Sequence, residues 1–273
     1  MLKTRVLTAV VSLAAFLAAL LLLPQGGWVI CCAVVLGVAA WEWAGLARAA
    51  TGARLAWSAC IVALFLTPSL APLPGGWHAP QWAYHAGAFF WTVLAPLWLW
   101  RGPRAEQPLL LLAVGVVVLV PAFAALVDLR RDHSTLLLAI LVTVWVSDTA
   151  AYFAGRRFGK RQLAPAISPG KTWEGVAGAL ATVVLYALAW AWLGSPASMP
   201  LAFDGARAGP FWIIPVLLGL AVVGIVGDLF ESLIKRQAGV KDSGKILPGH
   251  GGVLDRIDAL LAMLPLAALA FMR

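Results

Sequence analysis

Apolar residues run along this chain in long blocks, and the polar positions between them come in short groups. A helix crosses the roughly 30 Å hydrocarbon core of a bilayer with about 20 residues, rising about 1.5 Å at each. By that length the blocks predict spans near 5–23, 27–46, 55–72, 81–100, 108–127, 134–154, 173–194, 210–233 and 253–272. The expected fold is all-α, a polytopic membrane helix bundle of about nine transmembrane helices. The count is eight if the third block, short and broken by Pro68, does not cross. The first block follows Lys3 and Arg5 as a signal peptide would. Its apolar run exceeds the roughly 7–15 residues of such a segment, and no small-x-small site precedes "PQGG", so it reads as a retained helix.

Composition agrees with this setting: 62% of the 273 residues are hydrophobic and 12% charged, against about 25% charged in soluble domains. Charge adds the orientation. Sixteen of the 20 lysines and arginines fall on one side of the predicted spans, among them those of the 155–172 and 235–252 loops; Arg130, Arg131, Arg207 and Arg273 fall on the other. The positive-inside rule makes the richer side cytoplasmic, which puts the chain in the cell membrane with its N-terminus and polar loops facing the cytoplasm. The net charge of +8 then suits an anionic leaflet or anionic substrates. No basic and aromatic residues interleave as on a nucleic-acid platform, so no nucleic-acid partner is expected. Cys31, Cys32 and Cys60 lie inside predicted helices without zinc spacing or a disulfide framework, and read as small core residues.

Intramembrane and loop charges concentrate in the second half. The chain accordingly divides into N-terminal helices over 1–130 and a C-terminal helical part over 131–273 that carries the site. Asp228 and Glu231, three residues apart at the end of the eighth span, share one helical face with Ser232 and Lys235. Asp255 and Asp258 repeat that spacing at the start of the ninth. Ionised groups at membrane depth cost about 2.5–3.5 kcal/mol each unless compensated, and a divalent cation would compensate four carboxylates. Magnesium, a hard ion that takes carboxylate, phosphate and water oxygens, suits them better than zinc or copper. Between the two helix ends, Lys235, Arg236, Lys241 and Lys245 supply charge for phosphates, and Gly249, Gly251 and Gly252 let backbone amides come close.

A second polar stretch runs from Ser147 to Gly175. Asp148 and Tyr152 lie one turn apart at a helix end, and a basic loop leads to Ser168, Lys171 and Thr172 at the start of the seventh span. A helix N-terminus with free amides and a lysine suits an anion. A solvated loop with Thr172 as helix cap explains the same residues.

The segment 232–258 resembles, position by position, the signature of the phosphatidate cytidylyltransferases (CDP-diacylglycerol synthases). The matching residues are Ser232, Ile234, Lys235, Arg236, Lys241, Asp242, Gly244, Leu247, Pro248, His250, Gly251, Gly252, Val253, Asp255, Arg256, Ile257 and Asp258. The 147–175 stretch resembles the same family's preceding cytoplasmic segment, whereas the first half resembles it only in hydropathy. The resemblance implies transfer of a cytidylyl group from CTP to phosphatidate in the bilayer, with magnesium. It makes Asp228 and Asp255 the leading metal ligands, with Glu231 and Asp258 beside them, leaves room for a second cation, and implies a homodimer. Lys241 joins the catalytic set. His250 is left to orient groups or hydrogen-bond the leaving group, because a phosphate nucleophile needs no strong base. Asp148, Ser168, Lys171, Ser232, Lys235, Arg236, Lys245, Gly251, Gly252 and Arg256 are the expected substrate-binding residues. A CTP-dependent lipid kinase would use similar groups but release CDP in place of pyrophosphate. An ion transporter would explain Asp148 and Asp228 but usually has broken helices in both halves.

Overall fold

The computed structural model describes residues 2–70, 79–102, 107–193, 210–246, 249 and 251–272. Each Leu-, Val- and Ala-rich block coils into helix, since in lipid every backbone N–H and C=O has to find its partner within its own segment. In chain order these are α1 (Leu2–Leu22), α2 (Gln25–Leu46), α3 (Thr51–Leu70), α4 (Gln81–Phe89), a π-helical turn (Phe90–Leu94), α5 (Ala95–Arg101) and α6 (Pro108–Phe158). After them come strands β1 (Gln162–Ala164) and β2 (Ser168–Thr172), then α7 (Trp173–Leu193), a 3-10 turn (Pro210–Trp212), α8 (Ile213–Ala238) and α9 (Leu254–Phe271). Among the described residues, five segments are long and apolar enough to cross a membrane: Gln25–Leu46, Pro108–Asp132, Ser134–Phe158, Trp173–Trp192 and Ile213–Ala238. The protein is a polytopic helical membrane protein. The expected span at 81–100 is helical throughout but has a π-helical turn that ends two residues before Pro96. Proline lacks an N–H and crowds the carbonyl four residues back, and an inserted residue relieves both defects.

Helix α6 covers 51 residues and would measure about 76 Å if straight. Its contacts rule that out. Trp43 Nε1 donates to Leu111 O at 2.7 Å, the neighbouring Glu42 accepts from Leu254 N at 2.9 Å, and Asp255 shares a cavity with Asp148. Leu111 and Asp148 therefore lie at the same end of the bundle. Leu126 and Leu141, moreover, line a single apolar cavity of about 360 Å³. Between those two leucines α6 doubles back while its backbone stays locally helical, and its two arms correspond to the expected spans 108–127 and 134–154. The expected boundary between residues 130 and 131 falls inside this bend.

The bend is held by buried polar contacts at the end of the bundle remote from Glu42. Arg130 donates to Leu20 O (2.8 Å), Leu23 O (2.5 Å) and Gln25 Oε1 (2.9 Å), and its guanidinium lies over the Trp28 ring. Asp128, fully buried, accepts from Tyr84 Oη (2.6 Å) and Ala79 N (3.1 Å). In the apolar interior, Phe90, Trp91 and Trp98 set their edges against Phe230 of α8 with centroids 5.4–5.6 Å away, an arrangement aromatic quadrupoles favour. Behind the carboxylate-bearing helix ends, α8 and α9 touch closely: a Cβ on Gly227 would lie 2.7 Å from Asp258 O and 2.8 Å from Ala262 Cβ.

One element was not expected in an all-α chain. β1 and β2 pair antiparallel, Gln162 opposite Thr172 and Ala164 opposite Ser168. They are too short for alternation to reveal them. The Glu174 carboxylate accepts the N–H groups of Lys160 (3.0 Å) and Arg161 (3.2 Å), and so folds the basic segment back onto the start of α7.

Candidate active site

A cavity of about 510 Å³ opens where the second arm of α6, the β-hairpin, the start of α7, the end of α8 and the start of α9 converge. Ten of the residues expected from the sequence line it: Asp148, Lys171, Asp228, Ser232, Lys235, Arg236, Lys241, Asp255, Arg256 and Asp258. Ser147, Tyr152, Thr172 and Asp242 join them. Glu231 is buried behind the wall, 2% exposed. Ser168, Lys245, Gly251 and Gly252 are not among the lining residues, and His250 lies outside the described residues. Thr172 Oγ1 accepts the Gly175 N–H at 3.1 Å, so it does cap α7.

Ion pairs organise the interior. Lys171, arriving on β2, places Nζ 2.5 Å from Asp228 Oδ2. Lys235 lies between two carboxylates, 2.5 Å from Glu231 Oε2 and 2.6 Å from Asp255 Oδ1. The i,i+4 spacing on α8 supplies the first pair, and the close approach of α8 and α9 the second. The lining carries five carboxylates (Asp148, Asp228, Asp242, Asp255, Asp258) and five bases (Lys171, Lys235, Arg236, Lys241, Arg256). Two of these bases, Lys171 and Lys235, are paired with carboxylates inside the protein, as charges taken out of water have to be.

The carboxylates differ in what they hold. Asp255 Oδ2 accepts from Ser243 N (2.9 Å), Ser243 Oγ (3.0 Å) and Gly252 N (2.8 Å), so it pins both ends of the loop between α8 and α9. Asp228 has Lys171 and a long contact of 3.4 Å from Ser232 Oγ. Asp258 accepts from Ala259 N at 2.8 Å. Among the described residues no group of three or more His, Cys, Asp or Glu side chains is arranged around a metal position. Magnesium does not need such a cage, since it commonly takes one or two protein carboxylates and completes its shell with phosphates and water. Asp148, Asp228, Asp255 and Asp258 face one cavity from three helices, and as hard oxygen donors they fit that ion.

Glu42, on α2, is a site residue the sequence reading passed over. It is 1% exposed. Its Oε1 accepts from Val253 N (3.1 Å), and its Oε2 from Leu254 N (2.9 Å) and Ser243 Oγ (3.1 Å). One signal was available: an acidic residue inside an apolar span is a functional candidate by default. A neighbouring tie reaches the end of α8, as Arg48, just past α2, donates from Nη2 to Gln237 O at 3.0 Å.

The chain is similar to known proteins along its length. A family profile described as "Cytidylyltransferase family" matches residues 3–272. A phosphatidate cytidylyltransferase of Haemophilus influenzae is 36% identical over 292 aligned residues, covering 97% of this chain and 96% of that protein. One of Pseudomonas aeruginosa is 38% identical over 284, covering 98% and 96%. A third, from Thermotoga maritima, is 41% identical over 134 residues, 49% of this chain and 48% of its own.

Proposed function

The chain belongs to the cytidylyltransferase family, and from that membership we infer that it transfers the cytidylyl group of CTP to phosphatidate, giving CDP-diacylglycerol and pyrophosphate for phospholipid synthesis. The observation that carries this reading is one cavity at a helix-end level of a membrane bundle, lined by the motif's bases and carboxylates. A phosphate monoester of about −1.5 to −2 charge has to approach the α-phosphorus of a triphosphate. The protein's main tasks are therefore neutralisation and in-line placement. Lys171, Lys235, Arg236, Lys241 and Arg256 are the cations within reach. Lys171 would leave Asp228 for a phosphate oxygen, so that substrate anions replace carboxylates as its partner. The attacking phosphate oxygen forms the new P–O bond as the bond to pyrophosphate breaks. His250 serves orientation or a hydrogen bond to the leaving group.

Magnesium belongs to this proposal, held by Asp228 and Asp255 with Glu231 and Asp258 close by, and a second cation has room in the same cluster. When bound, it supplies positive charge against the phosphate oxygens and a fixed geometry for displacement. Ser168, Lys245, Gly251 and Gly252, outside the cavity lining, are assigned to further contacts with the substrate phosphates. The cavity faces the cytoplasm, where CTP is, while the acyl chains stay in the bilayer, and the protein works as a homodimer.

Purified protein given labelled CTP, phosphatidate and magnesium is expected to yield a CDP-lipid and pyrophosphate in equal amounts. Release of CDP with a phosphorylated lipid would instead identify a kinase, and neither product across varied lipid and detergent would defeat the reading. Orientation is tested separately. With Cys31, Cys32 and Cys60 replaced, a cysteine at Val240 should be shielded from an impermeant reagent in intact cells and one at Ser198 should react. Equal labelling would refute a cytoplasmic site.

A further inference from the structure

We propose that Glu42 is a positioning residue, a buried carboxylate on α2 that clamps both ends of the loop between α8 and α9 and so fixes Asp255 and the loop's lysines relative to the cavity. The part of this that concerns turnover rests on the transferase reading above.

A helix begins with amide groups that no intrahelical carbonyl satisfies, and a side chain at its own N-cap usually accepts one of them. At α9 the N-cap residue is Val253, which makes no side-chain cap. Glu42 supplies that cap from another helix, taking the N–H groups of Val253 and Leu254, one on each oxygen. A carboxylate there also meets the positive end of the α9 dipole. The same carboxylate reaches the start of the loop through Ser243. That hydroxyl has a single proton, and it lies 3.1 Å from Glu42 Oε2 and 3.0 Å from Asp255 Oδ2. It lies between the two carboxylates and shares that one proton with both of them.

Two glycines show that the approach is built in. A Cβ on Gly252 would lie 2.5 Å from both Glu42 oxygens, and one on Gly244 would lie 2.8 Å from its Cδ. Any larger residue at either place would push the carboxylate out. Glycine at these positions thus serves the clamp by leaving room for the carboxylate. Glu42 does not line the cavity, so it acts through Ser243, Val253 and Leu254 and not on substrate. It is also the point where the first half of the chain enters the site.

Glu42→Gln keeps the shape but turns an NH₂ toward an N–H donor. Displacement of reacting groups by about 1 Å costs on the order of 100-fold, so kcat should fall about 10- to 100-fold. Ser243→Ala should lose about several-fold, and the Glu42→Gln, Ser243→Ala pair should be scarcely worse than Glu42→Gln, as expected of groups acting through one another. Hydrogen exchange gives a readout independent of turnover: amides of 241–246 and 252–256 should exchange faster in Glu42→Gln, and those of 127–130 should not change. Asp128→Asn, at the opposite end of the bundle, should lower the melting temperature and leave kcat within about twofold. Unchanged exchange in 241–256 overturns the clamp, as does normal kcat in a folded Glu42→Gln protein. An equal kcat loss in Asp128→Asn would make the effect general destabilisation and overturn it too. If Glu42→Gln does not fold, Ser243→Ala decides by the same two measurements. Wild-type protein without transferase activity would defeat the functional reading, while exchange would still judge the clamp.

Discussion

Asp228→Asn is expected to reduce turnover by about two orders of magnitude or more while leaving most of the protein folded. The substitution keeps size and removes a charge that faces the cavity, where Lys171 is its counter-ion and Ser232 a distant neighbour. Little of the fold hangs on it. Asp255→Asn should lose as much activity but also lower the melting temperature, because its carboxylate takes Lys235, Ser243 N, Ser243 Oγ and Gly252 N together. Groups that act as one unit are not additive in their kinetic effects. The double Asp228→Asn, Asp255→Asn variant should accordingly turn over about as slowly as the worse single one. Initial rates across a magnesium series, with melting curves in the same detergent, measure all three. Near-normal turnover in Asp228→Asn would remove that residue from the catalytic set, and an unchanged melting temperature in Asp255→Asn would mean that the loop is held elsewhere.

The second large effect is expected from Lys235→Met. Lys235 sits between Glu231 and Asp255, whose side chains are 3% and 4% exposed. Removing one partner of a buried ion pair typically costs about 3–5 kcal/mol, since the remaining charge has neither water nor a counter-ion. Here two carboxylates would be stranded. Loss of both activity and melting temperature should follow. Adding Glu231→Gln to Lys235→Met should recover a good part of the melting temperature and none of the activity, because it removes one stranded charge without restoring a cation at the cavity. No recovery in the double variant would show that Lys235 stabilises by packing its aliphatic stem and not by charge.

What was legible in the sequence is what repeats at helical spacing. Carboxylates at 228 and 231, and again at 255 and 258, announced two helix ends, and eight of the expected residues on those ends and the chain between them do line one cavity. Hydropathy found the apolar helices, five of them long enough among the described residues to cross a membrane, because lipid demands about 20 apolar residues whatever the packing. Partners distant in sequence were not legible. Nothing at Lys235 says that it faces Asp255 across a helix crossing, and nothing in the 159–172 loop says that Glu174 gathers its amides into a hairpin. Pro121 and Pro265 both meet Gly87 of α4, 3.1–3.2 Å from where its Cβ would be, a contact only the assembled bundle creates. The reversal inside α6 was read as a loop between two spans, and the chain solved it with a bend that stays locally helical.

The contact between Glu42 and Leu254 spans 212 positions, and this has a consequence for biogenesis. Helices enter the membrane as the ribosome delivers them, so α2 is in place long before α9 exists. Through that interval Glu42 has no amides to hold and has to keep its carboxylate hydrated at the membrane surface, near the last turn of α2. Insertion of α9 gives it those partners and, in the same event, completes the cavity. Such long-range closure is slow because the chain entropy between its ends has to be overcome first. A chain that has not yet inserted α9 therefore carries much of the hydrophobic bundle but not the completed cavity, so the site forms only when α9 joins it.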